Sequence, residues 1–378
     1  MAELTRKEML GWLSEKDPQK LEELFREARA CAIRHVGPKV YFRGLIEFSN
    51  FCSKDCYYCG IRKSNRNLER FSLTEAEILE CAKAAYEMDY GSIVLQSGER
   101  QDGVYAGFIE DILRKIKKMT SGKLGITLSL GEQAPETYER WFEAGAHRYL
   151  LRIETSSPAL YQRLHPADHS FETRKRCLEA LCRIGYQVGT GGMIGLPFQT
   201  HEDLVGDIFF FKDQDIDMIG MGPYIPHADT PLAGQISDYD SSENFRLGLV
   251  MVALARIFLK DINIAAATAL QTLDAQGREK GVLAGANVIM PNITPTDYRK
   301  LYQLYDNKPC LDENARQCKN CLEQRIRAAG AEIGYGEWGD APHFAKKKNR
   351  LTDRTISHPG CVESVNTHPG CEMGQVQH

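Results

Sequence analysis

The fold this 378-residue sequence predicts is α/β, a complete (β/α)8 TIM-type barrel, and three observations carry it. Short β-prone runs alternate with helical patterns, as in βα units laid on a parallel sheet. Eight such runs lie between residues 40 and 292, and eight units in about 250 residues is the size of a closed barrel. No strong linker interrupts that stretch. An open, doubly wound sheet is the structural alternative.

The elements follow in order. "DPQKLEELFREARACAIRHVG" reads as an N-terminal helical extension with Asp17 as cap, Pro18 in the first turn and Gly37 as stop. The β-prone runs are "VYFRGLIEFS", "SIVLQSG", "GITLSLG", "RYLLRIE", "VGTGGMIGLP", "MIGMGPYIP", "NIAAATALQ" and "NVIMPN". Between them, "TEAEILECAKAAYEMD" opens on a capping box of Thr74 and Glu77. "PETYERWFEAG", "SFETRKRCLEALCRIG", "HEDLVGDIFFFKDQD" and "SENFRLGLVMVALARIFLK" are further helices. The reading is one domain over 1–345, its barrel spanning 40–292, with a cysteine-containing extension beyond the last strand. The polar stretch 346–378 is expected to be a poorly ordered tail.

Composition narrows the function classes. A chain 43% hydrophobic and 26% charged, with net charge -4, reads as soluble and globular. It gives no electrostatic reason to expect nucleic acid or an anionic membrane. No apolar run reaches the ~18 residues of a spanning helix, and "MAELTRKEMLGWLSEKD" is too charged for a signal peptide. A cytoplasmic location is expected, where the twelve cysteines are not a disulfide framework. Cys31, Cys81, Cys177 and Cys182 sit in helical patterns and read as buried hydrophobes.

The remaining cysteines cluster. Cys52, Cys56 and Cys59 directly follow the first strand, and barrel enzymes carry their chemistry on the loops after strands. Cysteine-only ligation selects zinc or an iron–sulfur cluster. Structural zinc wants four closed ligands; none is near in sequence, although the distant His165 could supply one. A cubane cluster on three cysteines instead keeps one iron open to an external ligand. Cys310, Cys318 and Cys321 read as a second metal site. In the tail, His358, Cys361, His368 and Cys371 offer a Cys2His2 set in tandem H-P-G-C motifs, with a disordered tail as the competing reading.

Charged residues recur on strand faces that a packed barrel fills with branched aliphatics. Arg43, Glu47 and Ser49 share a parity, as do Thr127 and Ser129, and Arg152 and Glu154. One reading is a ligand-filled cavity for an anionic substrate. The other is internal ion pairing, Arg43 with Glu47 and Arg152 with Glu154.

C-x3-C-x-aromatic-C after the first strand, with Tyr58 as the aromatic, resembles the radical S-adenosylmethionine enzymes. "LIEFSNFC", "YYCGIRKSNRNLERF", "IVLQSGE", "TLSLGE", "RYLLRIETSSP", "GMIGLPFQT", "GPYIPHADTPL" and "ANVIMPNITP" resemble, within them, the HydE family of [FeFe]-hydrogenase maturases over about residues 5–340. Methylornithine synthase and biotin synthase are the other relatives considered; strands without cysteine count against biotin synthase. The resemblance implies a [4Fe-4S] cluster on Cys52, Cys56 and Cys59, with S-adenosylmethionine beside Tyr58, Gln96, Ser97, Glu154, Arg174 and Met290. Tyr58 implies a backbone contact to adenine. Glu154 implies the group that binds the methionine amine or the ribose, and Arg174 the grip on the cofactor carboxylate. It places substrate at Arg43, Thr127, Ser129, Arg152, Thr268 and Tyr302; a single threonine at 268, where relatives can show two, is a departure. Cys310, Cys318 and Cys321 would hold an auxiliary [2Fe-2S] or [4Fe-4S] cluster without a catalytic role.

The implied substrate is a small cysteine-ligated iron complex bearing carbon monoxide and cyanide, made by a sister maturase. A reductant such as ferredoxin is the implied electron source. A non-catalytic iron–sulfur scaffold is the remaining alternative. His227 is either a proton-handling loop residue or a structurally bonded one. The glycines of "GTGGMIGLP" serve either ligand approach or tight strand packing.

Overall fold

The computed structural model describes residues 4–236 and 238–357. The helix Pro18–Val36 begins where its chemistry dictates: the Asp17 side chain accepts from Gln19 N and Pro18 occupies the first turn. Gly37, at φ 86°, ends it in a conformation glycine adopts without penalty. Thr74 and Glu77 form the reciprocal capping box of helix Glu75–Glu87.

Eight strands alternate with these and later helices. They are β1 (Lys39–Ser49), β2 (Ser92–Ser97), β3 (Gly125–Ser129), β4 (Arg148–Leu150), β5 (Gln187–Thr190), β6 (Met218–Ile219), β7 (Asn263–Ile264) and β8 (Val288–Ile289). Their order in the sheet is β8-β1-β2-β3-β4-β5-β6-β7, and every pairing is parallel. At the two ends of that path, Ala265 makes a parallel bridge to Val288, and Asn287 N donates to Ile264 O at 2.9 Å. A short parallel pair, Met193–Ile194 with Gly222–Pro223, follows β5 and β6. All eight β-prone runs thus carry a strand, though later strands are shorter than the runs. "NIAAATALQ" leaves the sheet after Ile264 and turns into helix Thr268–Leu273, where alanine and leucine favour helix.

After the eighth strand the chain returns to the other end of the sheet. A ninth strand, β9 (Glu332–Ile333), pairs with the start of β1. Asp340 accepts from Arg148 at 2.6 Å and Gln187 at 2.7 Å. Gly339 O accepts from Arg43 at 3.1 Å and Asn263 at 2.8 Å. Helix Pro342–Ser357 follows, where the sequence reading begins an irregular tail at 346. Its docking explains the difference: His343, Lys346 and Lys347 pair with Asp215, Asp217 and Asp261. The His358–Cys371 motif lies outside the described residues. Cys31, Cys81 and Cys177 are buried and Cys182 is half-buried, all as free thiols. Among the described residues no helix is long and apolar enough to cross a membrane.

Candidate active site

A cavity of about 310 Å³ is lined by the C-terminal ends of β1 to β4 and the segments that follow the strands. Cys52, Cys56, Cys59 and Tyr58 form part of its wall. The cysteine loop is seated on the end of β2. Ser53 N donates to Glu99 O at 2.8 Å, and Glu99 N to Cys52 Sγ at 3.4 Å. Gly98 permits this approach, since a Cβ there would lie 2.3 Å from Phe51 O. Arg70 holds the following basic loop from inside by donating to the carbonyls of Asn50, Ile61, Arg62 and Asn65.

Burial pushes the Cys56 thiol up to about 12 and raises Cys52 and Cys59 as well. Thiolates here therefore need a cation to exist at neutral pH, which a metal centre provides. Among the described residues, one group of three metal-ligating side chains has all its donor atoms within 4.8 Å of one another, and it is not this one. The loop thiols are spread for an object larger than one ion, so the donor set fits an iron–sulfur cluster better than zinc. His165 does not complete a zinc site. Its Nδ1 lies 2.8 Å from Tyr161 O and its Nε2 3.1 Å from Tyr58 Oη, so both nitrogens are engaged within the protein.

Gln96, Ser97, Glu154, Arg174 and Met290 line the same cavity, as do Ser129, Arg152, Thr268 and Tyr302. Glu154 adopts φ 68°, an uncommon backbone for a residue with a side chain. It sits in a bridge to Gly192 and pairs with Arg152 at 2.9 Å. Thr268 Oγ1 accepts from Arg278 at 3.0 Å.

Arg43 and Thr127 are placed elsewhere. They line a second cavity, of about 20 Å³, which shares Leu150, Gly220 and Met290 with the first. Arg43 donates to Met218 Sδ and Gly339 O, both at 3.1 Å, and does not pair with Glu47. Glu47 takes Lys308 and Asn292 as partners instead. Parity predicted which face Arg43 occupies, but not its depth along the strand. His227 also lies outside the cavity lining. Its Nδ1 accepts from Asp229 N at 3.1 Å, its carbonyl accepts from Thr230, and its Nε2 stands 3.8 Å from Asp306. The glycines of "GTGGMIGLP" serve close strand packing: a Cβ on Gly191 would lie 2.1 Å from Gly220 O.

Sequence reasoning missed three charged groups behind the cysteines and Arg174. Lys54, inside the cysteine loop, pairs with Glu132 at 2.8 Å and Glu99 at 3.4 Å. Arg174 Nε donates to Glu132 at 2.7 Å. Burial opposes ionisation of both acids; Glu99 is pushed up, whereas Arg174 and Lys54 hold Glu132 below its ordinary value. A signal existed: "SGE" and "LGE" place an acid three residues past Gln96 and Ser129, which are register partners on β2 and β3. Tyr305 and Lys308 were missed too, and both line the cavity.

The second cysteine group is only partly assembled. Cys310, Glu313 and Cys318 bring their donor atoms within 4.8 Å of one another. Cys321 is exposed one turn further along helix Ala315–Ala328 and is not in that group. The neighbouring Cys318 thiol lowers the Cys310 thiol by hydrogen bonding to it.

Comparison with known proteins decides the family. Residues 46–211 match the Radical SAM superfamily. The chain is 48% identical over 338 residues to the [FeFe] hydrogenase maturase subunit HydE of Thermotoga maritima, covering 89% of this chain and 94% of that protein. The chain belongs to the HydE family. It is thereby a radical S-adenosylmethionine enzyme of the hydrogenase-maturase kind, a class that uses a [4Fe-4S] cluster and S-adenosylmethionine. Solved structures agree on the fold. Methylornithine synthase matches with TM-score 0.75 at 24% identity, over 89% of this chain and 95% of that one. The maturase HydG from Carboxydothermus hydrogenoformans matches with TM-score 0.75 at 21% identity, over 94% and 83%.

Proposed function

We propose that this chain acts in assembly of the di-iron part of the [FeFe]-hydrogenase active site, on a cysteine-ligated iron carbonyl cyanide precursor. One observation carries the reading: three thiols and an arginine-bearing wall, with Arg152 and Arg174, face a single cavity. Cys52, Cys56 and Cys59 would hold the [4Fe-4S] cluster. When bound, that cluster supplies an open iron and one electron for cleaving S-adenosylmethionine to a 5'-deoxyadenosyl radical.

The protein's part is positioning and exclusion of water. Arg174 presents a guanidinium fork to the cofactor carboxylate, and Glu154 an acceptor to its amine or ribose. Tyr58, Gln96, Ser97 and Met290 line the cofactor side. Ser129, Arg152, Thr268 and Tyr302 line the part left for substrate. Leu45, Ile61, Leu150, Leu151, Ile225 and Leu304 give the cavity its apolar wall, which strengthens every charge interaction inside. Arg43 and Thr127 reach substrate only if it extends into the smaller cavity. The bridge of Ala265 to Val288 supports a complete barrel, and the reading of 1–345 as one domain goes with it.

Cys310 and Cys318, with Cys321 on the same helix, we read as an auxiliary iron–sulfur site apart from the chemistry. A sister maturase and a ferredoxin-like reductant are the partners, in the cytoplasm. The test is 5'-deoxyadenosine formation by anaerobically reconstituted, reduced protein, with and without a synthetic cysteine–iron carbonyl–cyanide complex. Stimulation by the complex is expected. Cleavage without stimulation would reopen the substrate, and turnover of lysine or dethiobiotin would move the chain to another branch of the superfamily.

A further inference from the structure

Glu132 does not line the cavity, yet it touches two elements that do. It stands just beyond the end of β3 and is almost fully buried. One carboxylate oxygen accepts from Arg174 Nε at 2.7 Å and the other from Lys54 Nζ at 2.8 Å. Lys54 lies between Cys52 and Cys56, and Arg174 lies on helix Phe171–Ile184. A single side chain thus ties the cysteine loop to the arginine across the wall. Its own backbone N donates to Glu99 Oε2 at 2.9 Å, and Glu99 N in turn donates to Cys52 Sγ at 3.4 Å.

The arginine is orientated by what is consumed. Nε is taken by Glu132, and Nη1 donates to Arg152 O at 3.0 Å. Nη2 stands 3.9 Å from Glu99 Oε2. Fixing two of the three nitrogens sets the plane of the guanidinium and leaves its Nη edge for a ligand carboxylate. A lysine or an unpaired arginine would not hold that plane. Glu132 cannot be replaced by Glu99, whose nearest approach to the arginine is the longer one.

We propose that Glu132 is a positioning residue for S-adenosylmethionine, holding Arg174 and the cysteine loop in one register so that the cofactor carboxylate meets the guanidinium beside the cluster. The inference rests on the reading of Arg174 as the carboxylate grip.

The experiment measures binding of labelled S-adenosylmethionine to cluster-reconstituted protein by equilibrium dialysis. Iron content, the paramagnetic resonance signal of the reduced cluster and KM against kcat for 5'-deoxyadenosine formation are followed alongside. In Glu132→Ala, affinity is expected to fall about tenfold, the size typical of losing a group that orients a ligand's binder. Iron content stays at the parent level and kcat at saturating cofactor within about threefold. Glu132→Gln, which keeps the shape and one acceptor, recovers part of the affinity. Added to Arg174→Ala, Glu132→Ala lowers affinity little further, because the two act through one contact. Parent-like affinity in Glu132→Ala beside weakened Arg174→Ala would overturn the role of Glu132 and leave that of Arg174. Parent-like affinity in Arg174→Ala would remove the reading beneath it. Loss of iron in both Glu132 variants would overturn the positioning role in favour of a structural one.

Discussion

Cys52, Cys56 and Cys59 stand on a wall assembled from four strands, with buried charges from β2, β3 and a distant helix braced behind it. Cys310 and Cys318 stand on one loop and the first turns of one helix. That loop is held by Arg299, which is 1% exposed and donates to Cys310 O at 3.0 Å and Glu313 O. The first group is wide, half-buried to buried and continuous with a cavity; the second is compact and includes an exposed carboxylate. The difference teaches what each can do. A site continuous with a largely apolar cavity has room for a ligand beside its thiols. A compact site at the protein's edge can hold metal but offers no chamber for substrate.

The largest expected effect separates the two. Cys56→Ala is expected to abolish 5'-deoxyadenosine formation, whereas Cys318→Ala leaves it within about twofold, since the latter touches nothing in the cavity. Equal loss from both would break the division. Stability sharpens it next. Arg299→Met removes a buried cation that also bonds Thr294 O and Asn292 O, and leaves those carbonyls unpaired. It is expected to cost about 3 kcal/mol in denaturant unfolding and to empty the second site while the first keeps its iron. Iron lost equally from both sites would show that they fold as one unit.

A third outcome belongs to neither site and serves as their control. His343 Nδ1 lies 2.8 Å from Asp217 and its Nε2 3.1 Å from Asp215, with Lys347 facing the same acids at 3.6 and 3.2 Å. Those carboxylates raise its pKa to about 9. A raised folded-state value stabilises fully below the unfolded value of about 6.5 and is lost as pH climbs through about 9. Thermal midpoint should therefore fall across that window in the parent protein and less in His343→Asn, with cluster content unchanged. An identical slope in both would remove His343 as the cause.

Much of this was legible in the residues. The capping at Asp17 and Thr74 and the eight β-prone runs are local signals, and each became the element it implied; the cysteine triplet, also local, lines the main cavity. Depth was not legible. Arg43 and Ser129 satisfy the same alternation rule, yet one bonds Gly339 at the far end and the other lines the main cavity. Strand periodicity fixes a face and says nothing about height. The Lys54–Glu132–Arg174 bracket was hidden for a related reason. Its members lie 78 and 42 positions apart, and only the folded parallel sheet brings them together.

The smallest expected effect tests what closes the second site. Cys310, Cys318 and Glu313 are already grouped, whereas Cys321 must move its exposed side chain to join them. Cys318→Ser should release the second-site iron, because it removes the one buried donor of the group. Cys321→Ser and Glu313→Gln each remove a peripheral donor and should lower retention only in part, read as iron per chain after desalting and as a changed paramagnetic signal. Complete loss in Cys321→Ser with none in Glu313→Gln would mean that metal draws the helix turn inward, and that the compact grouping belongs to the metal-free protein. The reverse pattern would make the carboxylate the third ligand. Either way, 5'-deoxyadenosine formation should stay at the parent level, since neither donor reaches the cavity that Cys56 lines.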